Sequence, residues 1–264
     1  MERWLFKAAA LTALAFLACS AQSNPLLPVQ NLTFTNFGPG GCAPKAIFSS
    51  TNVIGWTGGT GLISIDAPGT ATVSGACGNA YPVWGPFADP PPGGNFIQAD
   101  GNPVFETSFN QTITGLTPGQ DYDLSFWQAA GQQFGFTGDT TEQWKVFFGS
   151  GSFAVDCGTN PCSIITSGSI QEIDSALMST PSGGVSAWNL VTLTVKADAA
   201  SDVLSFLAWG DGGNTTNLPP TVFLAGVNTP ANVPEPPTLA LFALVLVGFG
   251  ASRLRRSAKR IAEA

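Results

Sequence analysis

The chain contains no histidine. This removes the usual general base near neutral pH, the Ser-His-Asp arrangement and the commonest metal ligand. Positive charge is scarce too. Ten residues are Lys or Arg against 17 Asp and Glu, and seven of the ten sit at the ends: Arg3, Lys7, Arg253, Arg255, Arg256, Lys259 and Arg260. Only Lys45, Lys145 and Lys196 fall between residues 24 and 230, where they meet 14 acids, a formal charge of −11. A surface so acidic repels phosphate backbones and argues against a nucleic-acid partner. No period of 20–50 residues recurs. Helical patterning is also missing from the body, with "SIQEIDSALM" (169–178) as the best short candidate.

What is present is turn-forming and aromatic. The chain holds 31 Gly, 20 Pro, 19 Phe and 7 Trp. Short apolar runs are separated by Gly, Pro, Asn and Asp: 31–37, 62–66, 95–99, 104–114, 121–129, 144–149, 188–197, 203–209 and 221–227. In 121–129, Tyr122, Leu124 and Phe126 alternate with Asp121, Asp123 and Ser125. In 188–197, Val191, Leu193 and Val195 alternate with Leu190, Thr192 and Thr194. Period two with one polar face marks antiparallel sheets packed on one side. The expected fold is all-β, an antiparallel β-sandwich of eight or more strands spanning 24–230 as one domain.

The ends read differently. Arg3 and Lys7 precede an apolar stretch from Ala8 to Ala18, and small residues follow through Ala21. This is the pattern of a secretory signal peptide over residues 1–21, handled by the Sec translocon and signal peptidase, with cleavage after Ser20 or Ala21. Cys19 offers a lipoprotein alternative, although Phe16 stands where Leu is usual in such a signal. At the other end, Thr238 to Ser252 is an uncharged, largely apolar run of 15 residues. As a helix it would span about 22 Å, short of the roughly 30 Å hydrocarbon core. Its apolar residues surround the helix, whereas a core helix would keep a polar face. Flanking Arg253, Arg255 and Arg256 can snorkel, and they hold the basic end in the cytoplasm with the body outside.

Pro234-Glu235-Pro236, a short apolar helix and a terminal Arg cluster together resemble the PEP-CTERM sorting signal of Gram-negative bacteria, over residues 233–260. The resemblance implies a transient membrane anchor recognised by an exosortase, which cuts near the Pro-Glu-Pro, and a setting of exopolysaccharide and biofilm. The "RIAEA" extension after Lys259 is slightly longer than usual. The prolines at 234, 236 and 237 keep the backbone before the span extended, the form a protease-like enzyme binds.

The stretch "FNQTITGLTPGQDYDLSFWQAAG" (109–131), with "VLSFLAWGDG" and "TVFLAGV" nearer the C-terminus, resembles galactose-binding-like jelly-roll domains of secreted bacterial proteins. That resemblance covers about 95–227. It implies a jelly-roll sandwich and room for one structural calcium with no residues assigned; no other cofactor is expected. It does not imply a role, because the fold carries many.

Without Cys19 the exported chain keeps Cys42, Cys77, Cys157 and Cys162, which an oxidising compartment pairs in one of three ways. Asn160-Pro161 turns the chain between Cys157 and Cys162 and favours that local bridge, leaving Cys42 for Cys77. A four-thiolate zinc site would want two close pairs, and only one exists. Sugars stack on exposed aromatic faces. Trp84, in the Pro-rich loop "YPVWGPFADPPPGG", and Trp209, before "GDGGN", are the candidates for polysaccharide binding, while Trp127, Trp144 and Trp188 suit the core. Paired acids among Asp66, Asp89, Asp100, Glu106, Asp139, Glu142 and Asp211 would instead serve a glycan hydrolase or lyase. The leading expectation is a non-catalytic exported envelope or matrix protein. The alternative is a purely structural surface protein without a small ligand.

Overall fold

The computed structural model describes residues 23–39, 45–47, 53–58, 61–75, 80–216 and 218–229, with only the backbone path for 45–47. In chain order the strands are β1 (Lys45–Ile47), β2 (Thr57–Gly58), β3 (Ile63–Asp66), β4 (Phe96–Asp100), β5 (Ser108–Thr114), β6 (Asp121–Gln132) and β7 (Thr140–Gly149). There follow β8 (Ser152–Asp156), β9 (Ser163–Ser167), β10 (Ile170–Asp174), β11 (Met178–Thr180), β12 (Asn189–Lys196), β13 (Ser201–Gly210) and β14 (Pro220–Ala225). Sheet one runs β1-β3-β4-β14-β6-β12 and sheet two β10-β7-β13-β5-β2, with β11 also on β7. Every strand pairing is antiparallel. Among the described residues no α-helix forms, and the fold is the antiparallel β-sandwich the alternation predicts.

The period-two pattern explains the layers. Tyr122, Leu124 and Phe126 on β6 and Val191 and Val195 on β12 point inward, to meet Phe109, Trp144, Val146, Phe148, Leu204 and Phe206 of sheet two. Phe109 and Phe206 stack at 5.1 Å, and Phe126 and Trp144 meet Phe206 edge-on. Trp144 Nε1 crosses this layer to donate to the Phe223 carbonyl on β14 at 3.0 Å. A buried indole N–H therefore has its partner, and that partner locks one sheet to the other.

Each sheet is also covered on its outer face. Ala71, Val83 and Phe87 from the long β3–β4 connection pack on Phe96, Ala129 and Phe223 of sheet one, with Trp127 and Trp188 beside them. The β8–β9 hairpin lies over Phe147, Leu207 and Trp209 of sheet two. The Cys157–Cys162 disulfide closes the end of that hairpin, with Cα atoms 4.3 Å apart. Replacing both cysteines by Ser should lower unfolding free energy by about 2 kcal/mol, the loop-entropy figure for so short a loop. It should also open Trp209 to a solvent quencher. Unchanged urea midpoints would show that the bridge does not hold the cover in place.

Three local expectations change. Residues 31–37 form a turn and not a strand, because Asn31 (φ 50) accepts backbone N–H bonds from Thr35 and Asn36, both at 3.1 Å, through its side chain. Residues 169–178 carry β10 and the start of β11 and not a helix, because pairing with β7 outweighs a weak local preference. In addition, the run 104–114 becomes strand only from Ser108; before it Pro103–Phe105 make a 3₁₀ turn and Glu106 is left-handed.

The first and last described segments, around Leu27 and Asn228, meet at one pole. Leu27 N donates to the Asp123 carbonyl at 2.9 Å. The Asn228 side chain donates to the Leu27 carbonyl at 2.6 Å and accepts from Ser125 N at 2.7 Å. At φ 50, Asn is a residue that tolerates this turn while its amide satisfies buried backbone.

Candidate functional site

The opposite pole is organised by Gln132, the last residue of β6 and fully buried. Its Nε2 donates to the carbonyls of Gly138 (3.0 Å) and Leu218 (2.7 Å), and its Oε1 accepts from Gly183 N (2.8 Å). One amide thus pins three loops that are remote in sequence. Its own backbone carbonyl accepts from Trp84 N at 3.0 Å, so the 80–87 loop is held at the same place.

On one side of this hub is an aromatic pair. Trp84 and Phe134 have ring centroids 4.5 Å apart, tilted by 51°. Trp84 Nε1 donates to the Phe136 carbonyl at 2.8 Å, and Phe134 N donates to the Pro82 carbonyl at 2.9 Å. The indole is half-buried and held, whereas Phe134 is 56% exposed. Gly183 lies against the indole: a Cβ there would come within 3.5 Å of the ring, and its φ of +65° belongs to glycine.

On the other side is a cleft of about 410 Å³ lined by Asp139, Thr140, Thr141, Ser179, Thr180 and Pro181. It forms where β11 pairs with the start of β7. Asp139 Oδ1 accepts from Ser182 N at 2.9 Å, and Ser182 Oγ accepts from Gly138 N at 2.8 Å, fixing the rim. Behind the wall sits Glu142, with no exposure. The hydroxyls of Thr140 and Thr180 donate to its two oxygens. Burial pushes the Glu142 carboxyl up to about 7, against those hydrogen bonds and with help from Asp211. Asp211 is raised too, chiefly by burial; its Oδ1 accepts from Thr141 N at 2.9 Å and its buried Oδ2 has no hydrogen-bond partner among the described residues. Three of the seven candidate acids therefore converge here, a grouping that their spacing in the chain does not announce.

The other candidates are scattered. Asp66 and Asp100 are buried on the outer face of sheet one. Tyr81 lies near both, its phenol bonded to Thr221 at 3.2 Å and pushed well up by burial and by Asp100. Asp89 and Glu106 accept backbone N–H bonds from Gly69 and Val155 in exposed turns. Among the described residues, no group of three His, Cys, Asp or Glu side chains is placed to hold a metal ion.

Of the two tryptophans singled out from the sequence, Trp84 joins the site and Trp209 does not. Trp209 is 6% exposed. The β8–β9 hairpin covers it, Gly213 packs so closely that a Cβ there would lie 2.7 Å from the ring, and Lys145 Nζ sits 5.6 Å from its centroid. Phe134 packs on Trp84, and Asp139 and Ser179 line the cleft. Phe134 carried no signal beyond an apolar residue next to two glycine-flanked turns. Cys42, Cys77, Pro234, Glu235, Pro236, Arg253, Arg255 and Arg256 lie outside the described residues, as do the signal peptide and the apolar C-terminal run. No described helix is long and apolar enough to cross a membrane.

Residues 232–256 match the PEP-CTERM protein-sorting motif. The motif marks an exported protein sorted to the cell envelope. No curated protein matches the chain. Among solved structures, the CBM22-2 xylan-binding domain of Paenibacillus barcinonensis Xyn10C aligns at 13% identity over 70% of this chain and 96% of its own, with a TM-score of 0.36. TmCBM61 in complex with β-1,4-galactotriose aligns at 10% identity over 78% of this chain and 97% of its own, TM-score 0.32. The enzymatically active domain of tailspike protein 4 of bacteriophage CBA120 aligns at 15% identity over 67% of this chain, TM-score 0.32. The chain spans only 19% of that tailspike domain. Likenesses this distant transfer no role.

Proposed function

We propose that this is a non-catalytic glycan-binding protein of the bacterial envelope or biofilm matrix. The Sec translocon and signal peptidase export it, and the C-terminal segment holds it until an exosortase cuts near Pro234-Glu235-Pro236. The carrying observation is the exposed Phe134 ring, backed by Trp84, at the same pole as a hydroxyl- and carboxylate-lined cleft, the two joined through the Gly138 and Gly183 turns that Gln132 holds. Sugar C–H faces rest on such rings, and sugar hydroxyls bond to such rims.

The position of the site supports the reading. β14 and β6 run antiparallel, and the last described residues lie where Asn228 meets Ser125. Gln132 and the site are seven residues further along β6, roughly 23 Å at strand rise. A body tethered through its C-terminus presents this pole away from the tether. Glu142 supports the non-catalytic reading, since its carboxyl is enclosed by Thr140 and Thr180 and does not face a substrate.

Electrophoresis of the detergent-solubilised full chain through gels containing soluble polysaccharides tests the reading. Wild type should be retarded by at least one glycan. Phe134→Ala, which removes an exposed ring, should weaken retardation about tenfold, and Trp84→Ala at least as much. No retardation by any glycan, or full retardation of both variants, would reject the site.

A further inference from the structure

We infer that this site selects uncharged polysaccharide chains and rejects chains carrying uronic-acid carboxylates. The inference rests on the glycan-binding reading and adds the ligand's charge class. It begins from the cations. A carboxylate-bearing sugar is held by Arg or Lys, and the body has only three lysines. Lys145 is committed on the outer face of sheet two, to Glu172 at 2.8 Å and Asp174 at 3.0 Å. Lys196 stands opposite Asp121 at the start of β6, the far end of that strand from Gln132. Lys45 is on β1, the edge strand of sheet one, whereas the cleft belongs to β7 and β11 of sheet two.

The site itself offers the reverse chemistry. Its lining holds one carboxylate, the hydroxyl residues Thr141 and Ser179 and a proline, while Thr140 and Thr180 give their hydroxyls to Glu142 behind it. Asp139 is exposed and keeps one oxygen in a bond from Ser182 N, which leaves the carboxylate able to accept from a sugar hydroxyl. A uronate brought to the same place would meet Asp139 and, among the described residues, no counter-charge. The neutral aromatic pair adds stacking surface that favours no charge on the sugar.

The test uses the same gels, loaded in parallel with uncharged polymers (mixed-linkage glucan, galactomannan, methyl-esterified galacturonan) and acidic ones (alginate, polygalacturonate). Wild type should be retarded at least tenfold more strongly by an uncharged polymer than by either acidic one, and added salt should leave the uncharged retardation within twofold. Asp139→Asn, which keeps the acceptor for Ser182 N, should narrow the gap between the two polymer classes severalfold, by raising acidic retardation and lowering uncharged retardation. Retardation by the acidic polymers equal to or above that by the uncharged ones overturns the charge selection and leaves glycan binding standing. Retardation by none of the five overturns both.

Discussion

With Pro234-Glu235-Pro236 replaced by three alanines, the protein should stay full-length in the membrane fraction, while wild type in its own host should lose about thirty C-terminal residues. The triplet lies inside the matched sorting motif and immediately before an apolar run too short for a comfortable permanent span. Prolines hold that stretch extended, whereas alanines let a helix run back through it and hide the bond to be cut. The apolar run itself is unchanged, so insertion should survive. The described fold would survive such a cut. β14 is an interior strand, hydrogen-bonded to β4 on one side and β6 on the other. Asn228, six residues before Pro234, then ties the last described segment to Ser125 and Leu27. Loss of the segment from Pro234 onward takes no described strand from either sheet. Intact mass of the surface-exposed wild type decides the matter: retention of Arg253 to Ala264 would make the segment an ordinary anchor.

Stability should fall as pH rises from 5 to 8, with a loss in Tm on the order of 10 °C. Burial raises Glu142 from 4.5 to about 7 and Asp100 from 3.8 to about 7. Asp202 is pushed up as well, by burial and by its neighbour Asp198. A raised folded pKa means that the native state holds protons the unfolded chain has released. Stability is therefore fullest below the unfolded values and is lost as pH climbs to the folded ones, the reverse of an ion-paired carboxylate. For two such groups the loss between pH 5 and 8 is about 2–3 kcal/mol each. A domain of this size moves by roughly 2–4 °C per kcal/mol. The missing histidines make the experiment clean, because no side chain with an ordinary pKa titrates in that window. Calorimetry at pH 5, 6, 7 and 8 should show the fall, and Glu142→Gln should flatten it by a third or more. A Tm that rises over this range would mean that these carboxyls are not buried as protonated acids.

The residues that read correctly from the sequence are those whose signal is local. Alternation along 121–129 and 188–197 placed Leu124, Phe126, Val191 and Val195 on one face, and that face is the inner one in β6 and β12. The Cys157–Cys162 bridge spans five positions, so a turn between them was enough to propose it. The motif at 232–256 is a contiguous string that needs no fold to be recognised. Trp209 shows where such signals end. Its position at a strand end before glycines implies exposure, but β8 and β9 fold back over it from some fifty residues away. The 169–178 segment likewise became strand because β7 supplied hydrogen-bond partners that its own residues do not reveal. The candidate site is the extreme case. Trp84, Gln132, Asp139, Thr180 and Leu218 come together only because a sandwich returns distant strand ends to one pole, where Gln132 bonds to Gly138, Gly183 and Leu218 at once. Periodicity decided which face of each strand is buried, because it acts over neighbouring residues. Strand order decided which loops meet, because it depends on pairings between residues up to 86 positions apart in that one side chain's bonds.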